Sequence, residues 1–261
     1  MSEPASPPAD PRAESTVLLT LEYDGTSYVG WQVQPNGPSI QDAVERALTE
    51  LQGTPVKATA AGRTDSGVHA LGQRVSFTPP RLLPLRAYTH GLNGLLPQDI
   101  AVRAAELRPP GFDARRAARG KLYGYRIVLT GQRAPLSMRY SWQLFRNLDI
   151  AAMRDASRAL LGTHDFSAFR AADCEAKTTI REMRRIELLE SPGELAIEVE
   201  ATAFLKHMVR NIVGTLVEVG MGKRSAGDVA KILAARDRMQ AGRTAPPQGL
   251  TLVRVDYDPV G

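Results

Sequence analysis

The order in which strand-like and helix-like periodicities follow one another constrains this chain more than any other feature. Val17, Leu19, Leu21 and Tyr23 alternate with Leu18, Thr20 and Glu22, the period of a strand, and Asp24-Gly25 ends the run as a turn. Ser39 stands three residues before Asp42, the spacing of a capping box. Ile40, Ala43, Val44, Ala47, Leu48 and Leu51 then recur on one helical face until Gly53. Strands are predicted over 56–60 and 73–78, a helix weakened by Gly91 and Gly94 over 85–96, and a strand over 100–107. The second half repeats the order: a strand over 121–129, a helix capped by Asp149 and closed by Gly162, and a hairpin of 181–189 and 195–202 around Ser191-Pro192-Gly193. Helices over 205–219 and 226–235 and a strand over 250–257 complete it.

Both halves therefore read β-α-β-β-α-β, the split βαβ or ferredoxin-like order, although their sequences do not match residue by residue. The expected class is α+β: two βαββαβ halves sharing one extended, mainly antiparallel sheet. Helices would cover one face and leave the other free for a large ligand. The N-terminal half spans 16–112 and the C-terminal half 113–261; residues 1–15, rich in proline and small polar residues, read as a disordered tail.

Composition narrows the function classes. The lone Cys174 cannot form an internal disulfide, and the four histidines, read as incidental, show no spacing of metal ligands, so no metal is expected. No stretch reaches the roughly 18 apolar residues of a membrane span, and the first residues lack the apolar run of a leader, so a cytoplasmic protein is expected. A net charge of +5 fits a nucleic-acid partner without requiring one.

Three places could carry chemistry. Ala61 to His69, with Gly62, Arg63, Asp65 and Gly67, lies between two predicted strands. The two glycines have phosphate-loop spacing, but Val68 stands where a lysine is required; Gly220 to Lys223 fails for want of the earlier glycine. The alternative to a site is a plain glycine-aspartate turn. In Phe204 to Val219, apolar nearly all round, Arg210 is the only charged residue between His207 and Glu218. A buried guanidinium needs an anion, which could be an aspartate, a glutamate or a phosphate. From Arg103 to Arg146 the chain carries ten basic residues against two acidic ones, interleaved with aromatics such as Tyr123, Tyr125 and Trp142, a footprint of RNA binding.

The segment AGRTDSGVHA resembles the active-site motif of the tRNA pseudouridine synthase A family. EYDGTSYVGWQ, GLNGLLPQDIAV, FDAR with KLYGYR, LLGTHDFSAFR, HMVRNIVGTLVEVG and TAPPQGL resemble further family segments in the same order, and together they span nearly the whole chain after the tail. The resemblance implies the pseudouridine synthase fold and an isomerase acting on uridines 38, 39 or 40 of the tRNA anticodon stem-loop, as a homodimer and without cofactor. It makes Asp65 the nucleophile, Arg63 the residue that helps displace the target base, Tyr123 the ring against the uracil, Arg210 the partner of Asp65, and Leu250 an apolar wall. Arg115, Arg116, Arg119 and Lys121 are the RNA-binding candidates from the basic stretch. Ser66 departs from the alanine common in the family, but is small enough to fit. An isomerisation needs no redox partner, which agrees with these motifs. A carboxylate nucleophile beside a guanidinium would be favoured in its charged form, so Asp65 and Arg210 are predicted to touch. Whether attack falls on C6 of uracil or C1′ of ribose stays open.

Overall fold

The computed structural model describes residues 15–258, so all but Ser15 of the expected tail lies outside the described residues. The first half runs β1 (Thr16–Tyr23), α1 (Ile40–Gln52), β2 (Thr59–Ala60), β3 (His69–Phe77), α2 (Leu92–Leu95), β4 (Ile100–Arg108). The second runs β5 (Gly120–Leu129), β6 (Trp142–Leu144), α3 (Ile150–Ser157), β7 (Gly162–Asp165), β8 (Ile180–Ser191), β9 (Glu194–Ala201), α4 (Met208–Gly220), α5 (Ala226–Ala235) and β10 (Leu250–Asp256). Among the described residues the strands form one sheet in the order β4-β1-β3-β10-β5-β9-β8-β7, with β2 on β3 and β6 on β5.

Each half has the same internal order. β4-β1-β3-β2 in the first corresponds to β10-β5-β9-β8 in the second. The halves fuse because β2 is too short to cover β3. It pairs only with Val75 and Ser76, leaving His69 and Ala70 to take β10 in parallel. All other pairings are antiparallel except β5 with β6. The expected α+β class and shared sheet are thus present.

Local departures from the sequence reading have identifiable causes. β2 does not begin at Val56, because side chains of α1 take its backbone donors: the Val56 N–H goes to the Thr49 hydroxyl at 3.3 Å and that of Ala58 to Glu45 at 3.1 Å. The helix expected over 85–96 becomes a π-turn, Ala87–Gly91, followed by the short α2. α3 tightens into a 3₁₀ turn at Arg158–Leu160, where Ser157 bonds back to the Arg154 carbonyl. α4 begins at Met208 rather than 205, because the Lys206 carbonyl accepts from Ala171 and His207 adopts a left-handed φ of 63°. The short β6 and β7 were not anticipated.

Core packing fixes α4. Phe166 and Phe169 are fully buried, each contributing about 1.5–3 kcal/mol. Asn211 on α4 donates to the Phe169 carbonyl at 2.7 Å and accepts from Arg238 and Thr244. Leu195, Ile197 and Val199 on β9 are fully buried, whereas Glu194, Glu198 and Glu200 on the opposite face are only half-buried.

Candidate active site

The loop between β2 and β3 is cradled by the first strand and the turn after it. Tyr23, at the end of β1, shares a hydrogen bond between hydroxyls with Thr64 at 2.8 Å. Gln73 on β3 donates to the Gly62 carbonyl at 2.7 Å and to the Tyr23 hydroxyl at 3.3 Å. The Trp31 N–H donates to the Thr64 carbonyl at 3.0 Å, and the Ser66 hydroxyl to the Tyr28 carbonyl at 3.2 Å. Only glycine permits this approach at position 30: its φ is 107°, and a Cβ there would stand 2.7 Å from the Thr64 carbonyl oxygen. Burial pushes the Tyr23 hydroxyl up to about 12 against the lowering effect of Thr64 and Gln73, so it stays neutral and bridges. The segment EYDGTSYVGWQ is therefore the seat of the Asp65 loop.

Arg210 reaches Asp65 from α4. Its Nη1 donates to Asp65 Oδ2 at 3.1 Å and its Nε to the Ala245 carbonyl at 2.8 Å, while the Ala245 N–H returns a bond to the Arg210 carbonyl at 3.0 Å. One arm of the guanidinium is thus pinned to backbone and the other aimed at the acid. The side chains of Arg210 and Asp65 are 13% and 21% exposed, so the pair is shielded yet open to an incoming group. The expected contact between the two is present.

His207, read from the sequence as incidental, must be corrected. Its Nε2 stands 3.6 Å from the same Asp65 Oδ2. Burial first, then Arg210 and Lys206, hold its pKa below the usual imidazole value, against the raising effects of Asp65 and Asp173. His207 is therefore mainly neutral at neutral pH. The i, i+3 spacing of His207 and Arg210 was a readable signal that both could face one point.

Tyr123 lies in register with Val199 and Leu252, is buried, and meets the Phe204 ring edge-on at 5.1 Å. Its hydroxyl is pushed well above the ordinary phenol range, first by burial and then by Tyr23 and Asp65. Because Tyr123 shares the sheet face of Val199 and its partner acid is bound from α4, the site opens on the helix-bearing side. On the other face Glu22, Asp24, Gly124, Arg126 and Glu198 help to line a cavity of about 610 Å³ that does not include Asp65.

Leu250 is buried opposite Tyr125, whose hydroxyl donates to the Pro246 carbonyl at 2.7 Å. Arg63 is exposed and makes no ion pair among the described residues. The four basic candidates fall into different settings. Arg115 is exposed, Arg116 lies 4.0 Å from Asp113, and Arg119 is 2.8 Å from Asp258. Lys121 is not with them on the outer surface: it sits on β5 against Gly62.

A half-shielded carboxylate met by a guanidinium, on a doubled split-βαβ sheet, is an arrangement suited to an enzyme that works through a single acid. Comparison with known proteins agrees. The family model described as tRNA pseudouridine synthase matches residues 20–115 and 156–258, and the chain belongs to this family of isomerases. It is 56% identical over 240 residues to the tRNA pseudouridine synthase A of Myxococcus xanthus, covering 92% of this chain and 91% of that one. To the tRNA pseudouridine synthase A of Geobacter sulfurreducens it is 50% identical over 242 residues, covering 93% and 99%. Among solved structures, one described as a Cbf5-Nop10-Gar1 complex aligns over 98% of this chain and 55% of the other with a TM-score of 0.41 and 13% identity, a likeness on which nothing rests. No helix among the described residues is long and apolar enough to cross a membrane.

Proposed function

We propose that this protein isomerises uridine to pseudouridine at positions 38, 39 or 40 of the tRNA anticodon stem-loop, with Asp65 as nucleophile and no cofactor, as a cytoplasmic homodimer. The observation that carries the reading is the Asp65 carboxylate seated on its cradle and bonded to Arg210 at 3.1 Å. In the reaction the bond from N1 to C1′ breaks, the base turns, and a bond from C5 to C1′ forms; N1 gains a proton and C5 loses one. Asp65 forms the transient covalent bond. Arg210 stabilises charge on Asp65 as that bond forms and breaks. The uridine must leave its stack to reach the pocket. Arg63, exposed beside the loop, fills the space it vacates, Tyr123 presents a flat apolar face to the uracil, and Leu250 closes the wall.

The test uses unmodified tRNA with uridines at 38, 39 and 40. Wild type should convert one or more of them, and Asp65→Asn should bind the tRNA within about threefold of wild type while forming no product. Pseudouridine formed by Asp65→Asn at more than a trace would remove Asp65 from the nucleophile's role.

A further inference from the structure

Lys121 occupies an unusual position for a lysine. It lies two residues before Tyr123 on β5, on the same sheet face, and a Cβ added to Gly62 would stand 2.8 Å from its Nζ. The ammonium thus lies against the backbone of the Asp65 loop, three residues from the acid. A half-buried ammonium normally meets a carboxylate, yet none of the described acids pairs with this one. The charges that act on it are Arg115 and Arg181, both cations; with burial as the larger cause, they pull its pKa down to about 8. Arg181, near the start of β8, shows a matching deficit. Its Nη1 donates to its neighbour's carbonyl at Ile180, while its buried Nε has no acceptor. Arg115, the third cation, is exposed and forms no ion pair among the described residues.

Two cations that act on one ammonium lying against the Asp65 loop, one of them with an orphaned buried donor and none of the three ion-paired among the described residues, form an arrangement that costs stability unless an anion arrives. Lys121 is only partly enclosed, so an anion has access to it. We propose that Lys121, Arg181 and Arg115 form a subsite for one phosphodiester of the RNA strand bearing the target uridine, and that this phosphate sets the register of the extruded nucleotide over Asp65. The inference rests on the function proposed above and adds the group that holds the strand. A phosphate suits the subsite because it is an anion whose oxygens accept from an ammonium and a guanidinium together, whereas a base edge brings acceptors but no neutralising charge.

The test is a binding cycle with anticodon stem-loop RNAs in which each linkage flanking the target uridine is replaced in turn by a neutral methylphosphonate. Dissociation constants are measured for wild type, Lys121→Met and Lys121→Arg. Lys121→Met should weaken binding of the native RNA by about tenfold and reduce the salt slope by about 0.7, the value of one phosphate contact on a single strand. Neutralising one flanking linkage should cost wild type about as much, but cost Lys121→Met less than about twofold, because the contact is already gone. Lys121→Arg should restore most of the affinity. Losses that add at every flanking linkage would overturn the subsite, whatever the activity. Lys121→Met should unfold at the same or a higher temperature than wild type, since it removes an uncompensated charge; Lys121→Arg keeps the cycle readable if it does not. Wild type that binds and shows the coupling but makes no pseudouridine would sink the proposed reaction and leave the subsite standing. Product formation without coupling would do the reverse.

Discussion

Replacing Arg210 by methionine tests the coupling on which the site depends. Arg210 Nη1 and His207 Nε2 both lie within 3.6 Å of the same Asp65 oxygen, so the two cationic groups are no more than about 7 Å apart. At that separation and an effective dielectric of about 20–40, a guanidinium disfavours a protonated imidazole by about 1–2 kcal/mol, toward the lower end because His207 is 30% exposed. Removing Arg210 deletes one of the causes that lower the His207 pKa and leaves the raising effect of Asp65 in place, so the imidazole should titrate at higher pH. The sign follows directly: protonated His207 becomes a substitute partner for Asp65 as pH falls. For the chemistry, removing one preorganised donor that stabilises charge in the transition state costs about 2–4 kcal/mol; with 13% and 21% exposure the loss should be nearer 2–3 kcal/mol, about 30–150-fold in kcat. Residual activity of the variant should be partly recovered at lower pH, where His207 carries charge. Histidine NMR titration and single-turnover rates across pH measure both effects. A His207 titration unchanged by the mutation, or a kcat within threefold of wild type, would refute the coupling.

Gly214→Ala should act on the same pair from behind. The added Cβ would fall 1.7 Å from the Arg243 carbonyl oxygen, forcing away the 243–245 segment whose Ala245 holds Arg210 at both ends. Overpacking of this kind costs about 1–3 kcal/mol, a Tm loss of roughly 2–12 °C, and kcat should fall at temperatures where the protein remains folded; an unchanged Tm and kcat would mean that the segment yields freely. Replacing Arg115, Arg116 and Arg119 together by alanine should weaken tRNA binding and flatten its salt dependence. Of the single variants, Arg119→Ala should change the slope least, because Asp258 already engages that side chain at 2.8 Å; an unaltered slope in the triple variant would take this patch off the RNA face.

Sequence periodicity gave the order of elements because each half repeats a short alternation of two periods, and the apolar face of β9 is visible in Leu195, Ile197 and Val199, each two apart. It failed where side chains intercept backbone donors, as Thr49 and Glu45 do before β2, since such bonds leave no periodic trace. It failed again at β6 and β7, which are three and four residues long, too short for alternation to register. Local pattern alone left Asp65 readable as a plain turn residue and gave Arg210 no more than the need for some anion. Their partnership came from the family resemblance, which matched an unpaired cation to an acid 145 positions away, a separation that no local pattern spans.

That same matching, carried further, separates the two kinds of cation in this molecule. Arg210 is satisfied within the fold: it has a carboxylate and a backbone carbonyl, and removing it takes a donor from the Ala245 carbonyl and leaves Asp65 with His207 alone. Lys121 and Arg181 are not satisfied; they repel each other and one keeps an orphaned donor. A folded chain tolerates such a deficit only at a cost of order 1–3 kcal/mol per group, and random substitution would relieve it easily. Its position against the Asp65 loop is what the proposed subsite explains: there the substrate would bring the missing counter-charge. On the proposed roles the two cations are told apart by the stability of the free protein, which should fall when Arg210 is removed and hold or rise when Lys121 is.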